Sequence, residues 1–261
     1  MKRVLFALLC IISIGAQAQN EPKKLGDTIK KDILTAPDTV KKLHSKPWAI
    51  ISPVILIAYG ASSFGVGPIR RFDYYIYGDV EKTGPNFHTK AESYFQFAPV
   101  AIVYGLNFAG IEGKNRFVDR TALLALSGGI LATFDFSLKH LTHRLRPNGT
   151  DYYSFPSGHT STAFLGAEFM AQEYSGKSAW YGVAAYVLAG TTGVFRLYNR
   201  DHWFSDVVAG AGFGILSTKV AYLVYPYIRN ALTHKDKNGK STLIMPTYQD
   251  GVVGLAFAKQ L

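Results

Sequence analysis

The sequence predicts an all-α protein that associates with a membrane, and three observations support this prediction. Hydrophobic residues make up 48% of the chain and the mean hydropathy is +0.07, which excludes a mainly disordered protein. The apolar residues form six long stretches, and each is predicted to be a helix because strands rarely exceed about ten residues. Small residues inside the stretches, Gly210, Gly212 and Gly214 among them, suit close helix packing. The six stretches are 48–66, 92–111, 120–140, 159–174, 179–196 and 204–228.

Residues 1–18 are typical of a secretory signal peptide. A charged start precedes an apolar run and a small-residue cleavage site. An uncleaved membrane anchor is the alternative interpretation. Cleavage would remove Cys10, the single cysteine of the chain, and would leave no residue for a disulfide or for thiol catalysis. The three parts of the signal are Lys2 and Arg3, residues 4–14, and Ala16-Gln17-Ala18.

The rest of the chain divides into three parts by composition. Residues 19–46 are polar and rich in lysine, and they form a predicted lead-in to a domain at 47–230. Residues 231–261 form a C-terminal tail, in which Asp250 and Gly251 separate two runs of β-forming residues and predict a hairpin. The net charge of +10 favours an anionic membrane surface or a phosphorylated substrate as the partner. Nucleic acid is not an expected partner of an exported protein.

Three short polar segments lie at the ends of the predicted helices. In the first segment, Lys139 and Arg146 are seven residues apart and Pro147 follows them. Seven residues make nearly two helical turns, so the two basic side chains are expected to point the same way. Considered alone, this pattern is also that of an ordinary basic helix end.

The second segment is Pro156-Ser157-Gly158-His159, directly before the apolar stretch at 159–174. Ser157 or its neighbour is expected to cap this helix. The first N–H groups and the helix dipole would then form a site for an anion, which Gly158 would let approach the backbone closely. An ordinary turn and N-cap is the alternative.

The third segment contains Arg196, His202 and Asp206. His202 and Asp206 are four residues apart and could touch on one face of a helix. A carboxylate on one imidazole nitrogen would fix the tautomer and leave the other nitrogen free as a nucleophile or base. A surface His–Asp pair beside an unrelated arginine is the alternative.

Together and in this order, the segments resemble the signature of the type 2 phosphatidic acid phosphatase (PAP2) superfamily. The family pattern is Lys-x6-Arg-Pro, then Pro-Ser-Gly-His, then Ser-Arg-x5-His-x3-Asp, and it is filled here from Lys139 to Asp206. One departure is Phe195, where the family usually has serine or another small residue. The resemblance implies a six-helix bundle of the PAP2 and haloperoxidase type over roughly 48–228.

The resemblance also implies a reaction. A metal-free phosphatase of this kind would use His202 as the nucleophile that forms a phosphohistidine, with Asp206 orienting it. His159 would protonate the leaving oxygen and then activate the hydrolytic water. Charged and hydrogen-bonding groups would hold the phosphate oxygens. These groups are Lys139, Arg146, Arg196, the Ser157 hydroxyl and the Gly158 N–H.

No metal or other cofactor is expected. His140 and His143 are three residues apart and could imitate a pair of metal ligands. No cysteine or third ligand is arranged beside them in the sequence, so the pattern disfavours a metal site.

The predicted function is hydrolysis of a lipid phosphate or diphosphate. A polyprenyl diphosphate, phosphatidylglycerophosphate or a lipid A phosphate would fit, because the predicted helices are apolar and rich in aromatic residues. The alternatives are a secreted acid phosphatase for small phosphomonoesters, a lipid phosphotransferase, a vanadate haloperoxidase and an inactive envelope scaffold. The expected partners are a lipid phosphate and a membrane, while the sequence gives no oligomeric state.

The expected location is the bacterial inner membrane, with the active site facing the periplasm. A periplasmic or peripheral bundle is the alternative. Membrane members of the resembled family cross the membrane six times with both termini in the cytoplasm, whereas a cleaved signal would start the mature chain outside. One resolution is that residues 159–174 do not face lipid, because they carry Glu168, Gln172 and Glu173.

Overall fold

The computed structural model describes residues 47–235, 241–249 and 252–259. The predicted signal peptide at 1–18 and the lead-in at 19–46 lie outside the described residues. Within the described part of the chain, eight α-helices follow a short 3₁₀ turn at Pro47–Ile50. The helices are α1 (Ile51–Ser62), α2 (Gly67–Thr83), α3 (Ala91–Phe95), α4 (Ala98–Phe108), α5 (Phe117–Thr142), α6 (Gly158–Tyr174), α7 (Ala179–Tyr198) and α8 (Phe204–Leu232).

All six predicted apolar stretches are helical, which confirms the all-α prediction. The stretch at 92–111 is divided into α3 and α4, with a break at Gln96 and Phe97. The connector at 67–91, for which the sequence predicts an irregular or partly helical path, contains the 17-residue helix α2. Asp73 and Val80 lie two turns apart on the buried side of α2, so this helix packs through one narrow face.

Helix α6 occupies the centre of the bundle. It packs against α4, α5, α7 and α8, and most of its residues are buried. Its two inward-facing carboxylates are paired with cations: Glu168 lies 2.7 Å from the Lys219 ammonium, and Glu173 lies 3.1 Å from Nε of Arg120. The stretch at 159–174 therefore carries charge because it faces protein rather than lipid.

Helix α8 approaches α6 and α1 closely through three glycines. A Cβ atom at Gly214 would overlap the carbonyl oxygen of Ser161 on α6, and one at Gly212 would lie 2.7 Å from that of Pro53 on α1. Gly210 lies one turn before Gly214 and faces α6 as well. The predicted close packing is confirmed here. The prediction of close packing is wrong for some other small residues of the apolar stretches. A Cβ at Gly128, Gly129 or Gly190 would meet no described atom within 4 Å.

Two of the described helices are long and apolar enough to cross a membrane, namely α5 over its whole length and α8 over Phe204–Arg229. A third span results only if α1 and α2 are counted together across a bend of 87°. Helices α5 and α8 run antiparallel, because Arg229 near the end of α8 contacts Asp119 at the start of α5 at 2.8 Å. The end of α5 and the start of α8 therefore lie at the same side of the bundle.

The C-terminal tail forms a three-stranded antiparallel sheet in the order β1-β2-β3. Strand β2 (Ser241–Gln249) pairs with β3 (Val252–Lys259), and Gln249 opposes Val252. This pairing confirms the predicted hairpin. Strand β1 (Thr233–Lys235), which directly follows α8, was not predicted.

Candidate active site

The predicted site residues gather at one end of the bundle. Lys139 lies in the last turn of α5, Ser157 directly precedes α6, Arg196 lies in the last turn of α7, and Asp206 lies in the first turn of α8. Arg146 stands in the loop between α5 and α6. The helices alternate in direction, so segments that are distant in the sequence meet at this end.

Two neighbours determine the tautomer of the His202 imidazole, because one can only accept a hydrogen bond and the other can only donate one. Its Nδ1 lies 2.7 Å from the carbonyl oxygen of Ser154, which can only accept a hydrogen bond. Its Nε2 lies 3.1 Å from the guanidinium of Arg146, which can only donate one. Nδ1 therefore carries the proton, and the lone pair of Nε2 faces the basic side chain expected to bind phosphate.

His202 and Asp206 do not share a helix face. His202 precedes α8, in a turn where Arg200 adopts a left-handed φ of 58°. Nδ1 of His202 lies 3.9 Å from Asp206, an ion-pair distance that is too long for a hydrogen bond. Asp206 instead accepts hydrogen bonds from the Ser154 hydroxyl at 2.5 Å and from the N–H of Trp203 at 2.9 Å. Its carboxylate thus caps α8 and reaches His202 through Ser154.

Burial and positive charge keep both histidines neutral. Burial is the largest cause that holds the pKa of His202 well below its ordinary value, and the charges of Arg196, Arg146 and Lys139 lower it further. The same causes lower the pKa of His159 to about 4. At neutral pH, His202 therefore has an unprotonated Nε2, as a nucleophile requires.

The three predicted phosphate-binding cations already have protein partners. Arg146 pairs with Asp151 at 2.8 Å, and Arg196 pairs with Asp201 at 2.8 Å. Lys139 donates to the carbonyl oxygen of Pro156 at 2.7 Å. These contacts fix the direction of each side chain before a ligand arrives, so little rotamer freedom remains to be lost on binding.

Ser157 stands at the N-cap of α6, but the expected capping hydrogen bond is not formed. Its hydroxyl lies 2.9 Å from the hydroxyl of Thr160 and contacts no backbone N–H of the first turn. The first N–H groups of a helix have no intrahelical acceptor, so they are available to an anion at this end of α6. Gly158 also packs closely, because a Cβ there would lie 3.3 Å from a carboxylate oxygen of Asp135.

His159 faces the short helix α3. Its Nε2 lies 3.4 Å from the hydroxyl of Ser93, and the residue before Ser93, Glu92, contacts Arg196 at 3.2 Å. No motif in the sequence pointed to Glu92 or Ser93, because they lie in an aromatic-rich stretch far ahead of the three polar segments. Only the packing of α3 against α6 and α7 brings them to the site.

Other polar neighbours were also missed. Arg144 lies inside the first segment, two residues before Arg146, and is 7% exposed. Ser154 lies three residues before Ser157 and is fully buried. Their only signal in the sequence is their place beside the motifs, where a polar residue that becomes buried needs a partner.

His140 and His143 differ in their surroundings at the end of α5. His140 contacts the carbonyl oxygen of Phe136 at 2.7 Å, and its ring lies 4.2 Å from that of Phe136. His143 ends α5 in a left-handed conformation with a φ of 43°. In the part of the chain that the structure describes, no three His, Cys, Asp or Glu side chains are grouped to hold a metal ion.

Comparison with known proteins matches part of the chain to one family. The sequence model of the PAP2 superfamily matches residues 120–230. A lipid A 1-phosphatase of Porphyromonas gingivalis is 32% identical over 231 residues, which cover 85% of this chain and 49% of that protein. A probable lipid phosphate phosphatase 4 of Arabidopsis thaliana is 30% identical over 125 residues, or 40% of this chain and 41% of that protein. The chain thus spans about half the length, or less, of these curated relatives.

The fold has a solved counterpart. The crystal structure of a transmembrane PAP2-type phosphatidylglycerolphosphate phosphatase from Bacillus subtilis aligns with a TM-score of 0.51 at 20% sequence identity. The alignment covers 69% of this chain and 98% of that one. At this identity the likeness shows a shared fold.

Proposed function

We propose that this chain, whose residues 120–230 match the sequence model of the PAP2 superfamily, is a metal-independent phosphatase that hydrolyses a lipid phosphate or diphosphate through a phosphohistidine. The observation that carries the proposal is the position of His202. Its Nε2 atom lies 3.1 Å from the Arg146 guanidinium, at the end of the bundle where the candidate span α5 ends and the candidate span α8 begins. A phosphorylated headgroup at the membrane surface would reach this nucleophile while its apolar part stays in lipid.

The first chemical step transfers the phosphoryl group to His202. A bond forms between Nε2 and phosphorus, and the bond between phosphorus and the leaving oxygen breaks. The imidazole gains positive charge while its Nδ1–H stays bonded to the Ser154 carbonyl at 2.7 Å. Lys139, Arg146, Arg196 and the N-terminus of α6 neutralise the phosphate oxygens in the loose transition state.

His159 supplies a proton to the leaving oxygen. It is neutral in the free site, because burial and three nearby cations hold its pKa at about 4. A bound phosphate group offsets those cations and raises the pKa of His159, so that the proton enters the site together with the substrate. The proton then passes from His159 to the leaving oxygen as the phosphorus–oxygen bond breaks.

The second step hydrolyses the phosphohistidine. Neutral His159 accepts a proton from water, and the water oxygen forms a bond to phosphorus. The phosphorus–nitrogen bond breaks, inorganic phosphate leaves and His202 returns to its neutral tautomer. Because no step in this scheme needs a metal ion, turnover is expected to persist when a chelator is present.

A lipid A phosphate is the first substrate to test. The relative from Porphyromonas gingivalis that is 32% identical over 85% of this chain is a lipid A 1-phosphatase. The structure supports an amphiphilic substrate, since Phe136 and Leu141 beside Lys139 are 68% and 77% exposed. Such exposed apolar side chains at the end of a candidate span are suited to contact acyl chains.

We place the protein in the bacterial inner membrane with this site facing the periplasm. The hydrophobic helices support membrane insertion, and the predicted signal peptide supports export of at least part of the chain. Residues 1–18 and 19–46 are the predicted signal and lead-in, 47–230 the catalytic domain and 231–261 the tail.

The decisive experiment measures phosphate release by purified protein in detergent with chelator present. Wild type and His202→Gln are compared on a lipid A phosphate, a polyprenyl diphosphate and a small sugar phosphate. We expect release from a lipid by wild type only. Release from the sugar phosphate alone would instead identify an acid phosphatase, and chelator-sensitive or His202-independent release would overturn the mechanism.

A further inference from the structure

We propose that Arg144 and Asp73 are positioning residues that align the nucleophile His202 by holding Asp206. The inference rests on the proposed function and extends it to two residues outside the chemical positions of the three family segments. The hydrogen bonds of Arg144 lead to Asp206 and Asp73, and Asp206 in turn contacts the residue that holds His202. Arg144 and Asp73 therefore act on the nucleophile through Asp206.

Arg144 connects four side chains, three from the helices α2 and α8 and one from the residue after α1. One of its terminal nitrogens donates to Asp206 at 2.7 Å, to Ser205 at 2.9 Å and to Ser63 at 3.0 Å. The other donates to Asp73 at 2.7 Å. A guanidinium has its donors in one rigid plane, so these contacts define the position of the Asp206 carboxylate.

Two aromatic rings hold that plane in place. The guanidinium carbon of Arg144 lies 5.2 Å from the centre of the Phe64 ring and 5.9 Å from the centre of the Trp203 ring. These are cation–π distances. Arg144 is only 7% exposed, so its alternative orientations are few.

Asp73 fixes the far side of the same network. Its carboxylate accepts from Arg144 at 2.7 Å, from the Ser205 hydroxyl at 2.7 Å and from the Ser205 N–H at 2.8 Å. Asp73 is 1% exposed and belongs to α2, which contributes no predicted catalytic residue. Helix α2 is therefore tied to the first turn of α8, one residue before Asp206.

The network reaches the nucleophile by one further contact. Asp206 accepts the hydroxyl proton of Ser154 at 2.5 Å, and the Ser154 carbonyl accepts Nδ1–H of His202 at 2.7 Å. The N–H of Ser154 in turn donates to the carbonyl oxygen of Arg144 at 3.0 Å. A shift of Asp206 would thus move Ser154, and with it the direction of the Nε2 lone pair.

The charge of the network also suits the reaction. Two buried carboxylates, Asp73 and Asp206, surround one guanidinium, which leaves a net charge of −1 behind His202. The imidazole becomes positively charged when Nε2 bonds to phosphorus. Negative charge on the Nδ1 side favours that state more than the neutral ground state.

The test compares Asp73→Asn with Asp79→Asn, a matched change at an exposed position on the same helix. We expect Asp73→Asn to lower kcat about 100-fold with KM changed less than about twofold, because the phosphate-holding cations stay in place. Asp79→Asn should behave as wild type. A folded Asp73→Asn protein with unchanged kcat, or with KM alone raised, would overturn the proposal.

Three further variants separate positioning from folding. Ser205→Ala removes one hydroxyl between Asp73 and Arg144 and should lower kcat in the same direction by a smaller factor. Arg144→Lys should not restore activity lost in Arg144→Gln, since one ammonium cannot replace the planar contacts. Full activity in Arg144→Lys would contradict the role given to the guanidinium plane.

The ¹⁵N spectrum of labelled histidine reports the His202 tautomer without any turnover. The His202 signals are assigned by their loss in His202→Gln. We expect a single Nδ1–H tautomer in wild type and a mixture in Asp73→Asn. If wild type shows no phosphatase activity, the proposed function fails, but this spectrum still tests whether Asp73 and Arg144 position His202. An unchanged tautomer in Asp73→Asn would overturn that positioning role.

Discussion

The Nδ1–H of His202 donates to the carbonyl oxygen of Ser154 at 2.7 Å. This contact joins a residue two places before the second polar segment to the third segment, and it sets the free nitrogen of His202 toward Arg146 at 3.1 Å. Ser154 is fully buried, so water does not compete for its carbonyl. The proposed nucleophile is consequently prepared by a backbone group, with Asp206 acting on that group through the Ser154 hydroxyl.

Substitutions of His202 and His159 should block different steps of the reaction. His202→Gln removes the nucleophile, so no phosphoenzyme should form from a ³²P-labelled substrate. His159→Asn keeps the nucleophile but cannot take a proton from water, so labelled phosphoenzyme should accumulate when the leaving group needs no protonation, as with an aryl phosphate. Turnover should drop about 10²- to 10⁴-fold.

The chemical stability of the label identifies the residue that carries it. Phosphohistidine is lost in acid and survives alkali, so the label in His159→Asn should show that behaviour. Label on His202→Gln, or an acid-stable label in either variant, would contradict the assignment of His202 as nucleophile.

The stability of the protein should rise with pH through the range in which free histidine titrates. The pKa of His159 is about 4 in the folded protein, against an ordinary value of 6.5. Between these values the unfolded chain binds more protons, so this contribution to stability is complete above pH 6.5 and declines as the pH falls toward 4.

His159→Asn isolates this effect. The unfolding temperature of the variant minus that of wild type should increase as the pH is lowered from about 7 to about 5, because only wild type must keep an imidazole at position 159 neutral. Differential scanning fluorimetry in detergent measures both proteins in the same buffers. A difference that does not change with pH would show that His159 titrates normally.

Helix α8 should not tolerate a methyl group at its contact with α6. Gly214→Ala would place Cβ in overlap with the Ser161 carbonyl oxygen, so the helices must separate at a cost of about 1–3 kcal/mol or more. Gly190→Ala is the control, because a Cβ there meets no described atom of another helix within 4 Å. The unfolding temperature should drop clearly for the first change and stay near that of wild type for the second. Equal unfolding temperatures would contradict the close contact of α8 with α6.

The orientation in the membrane can be tested with single cysteines in a Cys10→Ser background. Tyr152, in the loop beside the site, and Lys177, in the turn after α6, are both exposed. They lie at opposite ends of α6, which is about 26 Å long for its 17 residues. A maleimide that cannot cross the inner membrane should label Tyr152→Cys and not Lys177→Cys in cells with a permeabilised outer membrane. The reverse labelling would place the site in the cytoplasm.

The order of helices and the candidate site residues could be predicted from patterns in the sequence. Apolar runs longer than a strand predicted the helices, and the resemblance of the three polar segments to the PAP2 signature implied that Lys139, Arg146, Arg196 and His202 would share one site. Such patterns are local, because helix periodicity and motif spacing depend on neighbours within a few turns of the chain. For the same reason the turn signal of Asp250-Gly251 was sufficient for the tail, where these two residues separate the paired strands β2 and β3.

Only the tertiary structure decided which groups contact and orient those side chains. Asp73 is 71 residues from Arg144, and Ser93 is 66 residues from His159, so no local pattern relates them. The partner of His202 is a backbone carbonyl, a group that every residue of the chain carries and that no sequence motif can mark. Burial made these contacts necessary, because a charged or hydrogen-bonding group removed from water must find a partner among whatever the packed helices bring to it.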